Sequence, residues 1–299
     1  MMTEHIPVLL NEVIKNLNLK LGEVVLDGTL GGGSYSEQLC KAVGKKGTVI
    51  GLDHDKEAIA MVEKKLKDCG CKKYLINENF RNLDKVLKTL KIRKVNAITL
   101  DLGLSSDQLK NSGRGFSFQK DEPLVMTLSC DSDKVDFTAR DIVNDWEENN
   151  IADVLFGYGE EKYSRRIAKL IVEARQEKSI ETTFELIKII SDAVPVKYRK
   201  GRTHFATKTF QALRITVNDE LGSLKDGLSK GFDALDEGGR MAVVSFHSLE
   251  DRIVKNFIRD KKKGGEGMPI IKKPITPSRE EVLNNPKSRS AKLRVIEKN

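Results

Sequence analysis

VVLDGTLGGGS, residues 24–34, is an apolar run that ends in an acid and a glycine cluster. This pattern predicts a buried strand and a glycine-rich turn that opens a helix. Glycines in such a turn let the backbone approach a ligand closely, and the first N–H groups of the helix can bind an anionic group. The dinucleotide pattern G-x-G-x-x-G fails at Ser36 when it starts at Gly31, and at Leu30 when it starts at Gly28. Its place directly after the first strand favours a ligand-binding turn without the dinucleotide pattern, and a plain flexible turn is the alternative.

More short apolar runs follow on both sides of a long central segment. Those at 48–52, 74–76 and 97–100 alternate with helical patterns, and strand signals return at 240–246, near 268–272 and at 293–297. Strands separated by helices of about a dozen residues are typical of a parallel sheet with covered faces. The carboxyl ends of its strands then share one edge, where open α/β sheets bind ligands.

The central segment, from about 107 to 204, is helical in its periodicity. Helices are predicted over 163–178 and 182–193, followed by one long helix from Thr207 to about Ser229. The apolar stripe of that long helix is Phe210, Leu213, Val217, Leu221, Leu224 and Leu228. Because the strand signals stop for about a hundred residues and then return, the helical segment is predicted to be an inserted domain. The predicted division is a discontinuous core (1–106 and 206–299) around a helical insertion (107–205).

Composition excludes several classes of protein. The 299 residues are 39% hydrophobic and 32% charged, and no apolar run approaches the roughly 20 residues of a membrane span. No secretory signal is recognised, so a cytoplasmic protein without a membrane partner is expected. The four cysteines form no C-x-x-C pair and only four histidines accompany them. We therefore expect neither a metal site nor a disulfide framework.

The net charge of +8 is concentrated at one end of the chain. Residues 253–299 hold 13 basic and 5 acidic residues, which accounts for the whole excess. A local basic excess favours a polyanionic partner. A solvated, lysine-rich surface is the plainer alternative.

Polar and aromatic residues at the strand ends are the candidates for the ligand site. Asp53 ends the second strand, where an acid reaches ribose hydroxyls, with capping of the next helix as the less favoured alternative. Asp101 ends the fourth strand and suits either binding or proton acceptance, with an ordinary turn or N-cap role as the alternative. Phe80 follows the third strand, where it either flanks an adenine ring or belongs to the core.

Two further clusters lie nearer the carboxyl end. His247 follows an apolar strand and precedes Ser248 and Glu250, but no G-x-S-x-G elbow is present, so a hydrolase is disfavoured. A role for His247 in contacting a base, or in supporting a residue that does, is better supported, and a helix cap by Ser248 is the plainer alternative.

In residues 202–218, His204, Lys208 and Arg214 are candidates for phosphate contact, and Phe205 or Phe210 for base stacking. Phe210 also lies on the core stripe, so packing is the better reading for that ring.

Several longer blocks point to one family. They are HIPVLLNEV, DGTLGGGS, DLGLSSDQL, RGFSF, YGEEKYSRRIAKLIVEAR, THFATKTFQALRITVNDEL, GGRMAVVSFHSLEDRIVK and NPKSRSAKLRV. Taken in order over essentially the whole chain, they resemble the bacterial ribosomal RNA small subunit methyltransferase H family, also called MraW.

The resemblance implies S-adenosylmethionine-dependent N(4)-methylation of a cytidine in the decoding centre of 16S rRNA, within the small ribosomal subunit. It also implies a Rossmann-like α/β methyltransferase core with an inserted helical domain. The cofactor contacts that it implies are Gly33, Ser34, Tyr35, Asp53, Phe80, Asp101 and Gln108.

Three departures from the family pattern stand out. Gly33-Ser34-Tyr35 replaces the usual Gly-Gly-His, and Lys208 replaces a common arginine, which loses the bidentate fork. After RGFSF, the family reads D-G-P-L-D-M-R-M where residues 121–128 are DEPLVMTL. The missing acid and arginine motivate an alternative function, a small-subunit assembly factor with weak or no methyl transfer. A nicotinamide dehydrogenase is a further alternative by fold alone.

The chemistry assigns roles to a few residues. Asp101, or a backbone carbonyl near it, is the expected acceptor of the cytosine amino proton, and Phe246 or His247 the expected stacking surface. The helical insertion and the basic carboxyl-terminal segment are the expected clamps on the RNA backbone. The oligomeric state is left open, with a homodimer among the options.

Overall fold

A computed structural model describes residues 7–104, 106–129 and 136–299. His5 and Ile6 of the first family block, Ser105 of another and Cys130 lie outside these ranges. The chain divides into two compact units, Met1–Ser105 with Leu221–Asn299, and Ser106–Glu220.

The first unit is built on a seven-stranded sheet. Its strands are β1 (Val24–Asp27), β2 (Thr48–Asp53), β3 (Lys72–Asn77), β4 (Val95–Asp101), β5 (Leu235–Ser245), β6 (Gly267–Pro269) and β7 (Lys292–Lys298). They lie in the order β3-β2-β1-β4-β5-β7-β6, with β1 to β5 parallel and β7 antiparallel to both of its neighbours. The strand order reverses between β1 and β4, which is where open α/β sheets bind ligands. The predicted Rossmann-like α/β core is confirmed.

Helices cover both faces of this sheet. They are α1 (Leu10–Leu17), α2 (Ser34–Val43), α3 (Lys56–Lys65), α4 (Leu83–Thr89), α12 (Glu220–Ala234), α13 (Ser248–Lys263) and α14 (Arg279–Asn284). Alternate strand residues point to opposite faces: Val25 and Val49 pack in one apolar cluster with α1, α2 and α3, whereas Leu26 and Ile50 pack in the other with α4, α12 and α13. Burial on both faces explains why the strands read as continuous apolar runs.

The second unit is helical. Its helices are α5 (Ser106–Asn111), α6 (Ala139–Asp145), α7 (Glu148–Gly157), α8 (Ser164–Glu177), α9 (Thr183–Ala193), α10 (Val196–Arg199) and α11 (Thr207–Asn218). Each of α7, α8 and α9 buries an apolar stripe, with Leu155, Ile167 and Leu186 fully enclosed. Thr182 closes a capping box with Glu185 at the start of α9, which fits the predicted helix there.

The long helix predicted from Thr207 to Ser229 is wrong, because two helices occupy this stretch. Asp219 separates α11 from α12 in the left-handed conformation, with φ 43°. Asn218 and Asp219 are residue types that tolerate such a break. Since α11 packs on α6 and α7, the boundary predicted between 205 and 206 moves to between 220 and 221.

The cysteines depart from the sequence prediction as well. Cys40 of α2 and Cys71, just before β3, form a disulfide with their Cα atoms 5.6 Å apart, although no disulfide was expected. Residues far apart in sequence meet here because α2 and the start of β3 share the same apolar cluster. In the part of the chain that the structure describes, no helix is long and apolar enough to cross a membrane.

Candidate active site

The glycine-rich turn is anchored by the acid that precedes it. Asp27 ends β1 and is fully buried; its Oδ2 accepts a hydrogen bond from Ser36 Oγ at 2.7 Å, and its Oδ1 accepts one from the Thr29 N–H at 3.3 Å. Burial raises the pKa of Asp27 to about 6, against the opposing effect of these two hydrogen bonds. The carboxylate of Asp27 thus holds both the glycine-rich turn and the first helical turn of α2 in place.

Close packing at the turn explains its glycines. Gly33 has φ 72°, and a Cβ there would lie 2.7 Å from Val62 Cγ1. Lys65 of α3 also contacts the glycine-rich turn, since its Nζ donates to the Gly32 carbonyl at 3.0 Å and to Ser34 Oγ at 3.2 Å. The turn therefore has a defined backbone path against α3.

Asp53 lies beside this turn, as the sequence predicts. Its Oδ2 accepts from the Gly31 N–H at 2.8 Å, and its Oδ1 accepts from the Asp55 N–H at 2.9 Å. The side chain that caps α3 belongs to Asp55, whose Oδ1 accepts from the Glu57 N–H. The carboxylate of Asp53 is therefore placed next to the glycine backbone at the carboxyl edge of the sheet.

Asp101 lies across the strand-order reversal from that turn. Its N–H donates to Thr29 Oγ1 at 2.6 Å, which ties β4 to the turn after β1. The residue is half-buried, but its Oδ1 is enclosed and accepts no hydrogen bond from any residue that the structure describes. Burial raises the pKa of Asp101 well above its ordinary value, and the negative charges of Asp27 and Glu250 raise it further.

Residues after β5 are adjacent to Asp101 through the strand register. Asp101 pairs with Val244, and the ring of Phe246 packs within 3.5 Å of where a Gly103 Cβ would lie. His247 is the N-cap of α13; its Nδ1 accepts from the Glu250 N–H at 3.4 Å, and its Nε2 lies 3.2 Å from Glu250 Oε1. Glu250 thus orients the imidazole.

Phe80, Tyr35 and Gln108 were also predicted to contact the cofactor, and the structure places each of them in a different environment. Phe80 packs its ring on Gly227 of α12, where an added Cβ would be 2.4 Å from the ring. Tyr35 is buried in the core; its hydroxyl donates to the Val8 carbonyl, and burial raises its pKa. Gln108 lies on α5 in the second unit. Tyr35 can therefore offer a ligand its backbone but not its ring.

The predicted phosphate contacts at 204 and 208 are engaged within the second unit. The exposed ring of His204 stacks between Phe118, at 4.4 Å between centroids, and Phe205, at 4.3 Å. Partial burial lowers the pKa of His204, which disfavours a charged ring at neutral pH. Lys208 Nζ donates to the Glu160 carbonyl at 2.7 Å.

Arg214 is held in a two-pronged ion pair. Its Nε and Nη2 lie 2.8 and 2.9 Å from the two carboxylate oxygens of Glu220, and both side chains are mostly buried. The guanidinium charge is therefore balanced inside the second unit.

The segment that departs most from the family pattern is well anchored. Arg114 Nη1 donates to the carbonyls of Thr127 and Leu128 at 2.9 and 2.8 Å. Asn218 accepts from the Leu128 N–H at 2.7 Å and donates to the Met126 carbonyl at 2.8 Å. These bonds fix residues 126–128 without the acid and arginine that the family usually has.

Asp27, Glu250 and Lys65 belong to this site but are not among the site residues predicted from the sequence. Asp27 was visible as the acid before the glycines, and Glu250 as the N3 position of a helix, a common capping pattern. Lys65 carries no local signal, because only the packing of α3 brings it to the turn.

The sequence has clear relatives. The family model described as MraW methylase matches residues 2–299. The chain is 46% identical to ribosomal RNA small subunit methyltransferase H of Persephonella marina, over 99% of this chain and 100% of that protein. It is 41% identical to the protein of the same name from Clostridioides difficile, over 98% of each. These matches confirm the resemblance that the motifs predict.

Proposed function

Because the chain belongs to the MraW methylase family of S-adenosylmethionine-dependent methyltransferases, we propose that it methylates N4 of a cytidine in the decoding centre of 16S rRNA. The names of the relatives support ribosomal RNA of the small subunit as the substrate. The choice of cytidine N4 rests on the motif resemblance and on the chemistry of Asp101. A cytoplasmic location goes with this substrate.

The described residues suit S-adenosylmethionine. Asp53 offers carboxylate oxygens at the end of β2, where ribose hydroxyls are bound in this fold class. The backbone at Gly31, Gly32 and Gly33 lies beside that carboxylate, and α2 opens directly after it. The enclosed Asp101 Oδ1 lacks a described partner, as expected of a group that meets a ligand. When bound, the cofactor supplies an activated methyl group on its sulfonium.

The residues of the chain then need to align and activate the amino group. The lone pair of a cytosine amino nitrogen is delocalised into the ring, so an acceptor on its N–H strengthens the nucleophile. Asp101 Oδ1 accepts that hydrogen bond. The Asp101 carboxylate would then take the proton that the amino nitrogen releases when it gains the methyl group supplied by the bound cofactor.

The orphaned Oδ1 of Asp101 is the observation that carries this assignment, and two substitutions test it. Asp101→Asn keeps an acceptor oxygen but cannot take a proton, and Asp101→Ala removes both functions. We expect both to lower methyl transfer to unmodified small subunits by at least a hundredfold. S-adenosylmethionine binding, measured by calorimetry, reports whether the cofactor site is intact.

Asp68→Asn changes an exposed acid on the same unit and is the matched control. It should leave methyl transfer and S-adenosylmethionine binding unchanged. Near-normal transfer by Asp101→Asn would refute the proton-acceptor role. Binding of the wild-type chain to small subunits without any methyl transfer would instead identify the assembly-factor alternative.

A further inference from the structure

Charge is unevenly distributed in the second unit. By sequence, residues 106–220 hold 18 basic and 20 acidic residues, yet residues 193–218 hold six basic residues and no acid. Of the two cations expected to contact phosphate in that stretch, Arg214 is paired with the carboxylate of Glu220, whereas Lys208 donates to the backbone carbonyl of Glu160 and keeps its positive charge. Further cations that are available to a partner lie elsewhere in this unit.

Such cations lie close to the contact between the start of α8 and α10. Lys162, Arg165, Lys197, Lys200 and Arg202 are exposed, and none forms an ion pair with an acid within the described ranges. We call these five residues the α8–α10 basic face, since they flank or lie on the start of α8 and the helix α10. Exposed cations without acidic partners attract a polyanion instead of stabilising the fold.

Packing between the two helices holds this face together. The rings of Tyr163 and Tyr198 meet edge to face with centroids 5.0 Å apart, and Lys162 Nζ lies about 5 Å from both ring centroids. Tyr198 also donates its hydroxyl to the buried Glu161 at 2.7 Å. Residues from two distant parts of the chain are therefore fixed on one surface.

A neighbouring pair of bonds strengthens that arrangement. Arg166 Nη2 reaches the Asp192 carbonyl at 3.4 Å, and Arg199 Nη1 donates to Ser191 Oγ at 3.0 Å. The first of these hydrogen bonds joins α8 to the end of α9, and the second joins α10 to it. The helices that carry the α8–α10 basic face are thus held in place, which lowers the entropy cost of binding for the backbone beneath the face.

From this surface we infer that the α8–α10 basic face binds the phosphate backbone of the RNA substrate. The inference rests on the proposed function for the identity of the polyanion. Phosphate contacts supply affinity and register without reading sequence. The face therefore sets the affinity of the RNA, while Asp101 and its neighbours act on the target base.

The test is a triple variant with a matched control. Lys197→Gln, Lys200→Gln and Arg202→Gln together remove three charges from the face. The control removes three exposed charges from the first unit, by Lys64→Gln, Lys85→Gln and Lys88→Gln. Binding of naked 16S rRNA and of unmodified small subunits is measured against salt concentration, without methyl transfer. Calorimetry of S-adenosylmethionine binding and circular dichroism verify that each variant is folded.

We expect the face variant to bind RNA at least tenfold more weakly at 0.1 M salt. The slope of log K against log salt should fall in magnitude by about 2 to 3, because each lost phosphate contact removes about 0.7 to 0.9. Its KM for subunits should rise while kcat at saturation stays unchanged. The control should keep the wild-type slope.

Equal salt slopes of RNA binding for the wild type and the face variant would overturn the inference and leave the proposed function standing. An equal loss of RNA affinity in the control variant would do the same. Absence of N(4)-methylcytidine with normal RNA binding would overturn the proposed function alone. No binding of RNA by the wild-type chain would overturn both.

Discussion

Replacing Asp27 by asparagine is expected to stabilise the first unit, although Asp27 is fully buried and hydrogen-bonded. Its pKa is about 6 when folded and 3.8 as a free side chain. The folded state therefore holds the proton more tightly, and its stability declines as the pH rises from about 3.8 to 6. Since one unit of pKa difference corresponds to about 1.4 kcal/mol, the charged form costs about 3 kcal/mol at pH 8.

Asparagine removes this cost and keeps the local hydrogen bonds. Its Oδ1 can accept from the Thr29 N–H, and its Nδ2 can donate to Ser36 Oγ. Asp27→Asn should therefore raise the free energy of unfolding by about 3 kcal/mol at pH 8, by about half of that at pH 5, and hardly at all below pH 4.

The assay is urea unfolding followed by far-ultraviolet circular dichroism, supported by hydrogen exchange of the β1 and β2 amides. Fluorescence of the single tryptophan, Trp146, reports on the second unit instead. Asp68→Asn, at an exposed acid, controls for the loss of one charge. A stability gain that does not change with pH, or a loss of stability at pH 8, would show that the charged Asp27 carboxylate does not destabilise the fold.

Three other substitutions have defined outcomes. Gly33→Ala should cost about 2 kcal/mol in urea unfolding and weaken S-adenosylmethionine binding in calorimetry, because its Cβ would collide with Val62 at positive φ. Glu250→Gln should shift the acidic limb of the kcat–pH profile to lower pH, since losing one negative charge lowers the pKa of Asp101. Arg214→Lys should cost about 1–2 kcal/mol in unfolding through the lost bidentate pair and leave the salt slope of RNA binding unchanged.

Each of these has a contrary result. Unchanged cofactor affinity in Gly33→Ala would remove the turn from the binding site. An acidic limb that stays in place or moves to higher pH would separate Glu250 from the titration of Asp101. A reduced salt slope in Arg214→Lys would restore that arginine as an RNA contact.

Strands and their end residues could be predicted from the sequence because burial on both faces leaves a local signature. The runs at 24–27 and 48–53 are continuous, apolar and closed by an acid, so β1, β2 and the position of Asp53 follow directly. The break between α11 and α12 did not follow, because the apolar stripe continues in register across Asp219 although its two halves pack in different units.

Side-chain partners were the least predictable feature. The charge of Arg214 is obvious in the sequence, but its pairing with Glu220 depends on how the chain turns at Asp219. In the same way, Tyr35 lies in a ligand motif, yet its hydroxyl meets the Val8 carbonyl through packing of α2 near α1. Motifs predict which backbone meets a ligand more reliably than they predict which side chain does.

Methylation of cytidine N4 can be measured as methyl transfer from tritiated S-adenosylmethionine to unmodified small ribosomal subunits, with naked 16S rRNA in parallel. Nucleoside mass spectrometry then identifies the product and maps its position. We expect N(4)-methylcytidine in the decoding centre with the wild-type chain and its absence with Asp101→Ala. A labelled product on another base or another atom of cytosine, or equal yields from both proteins, would contradict it.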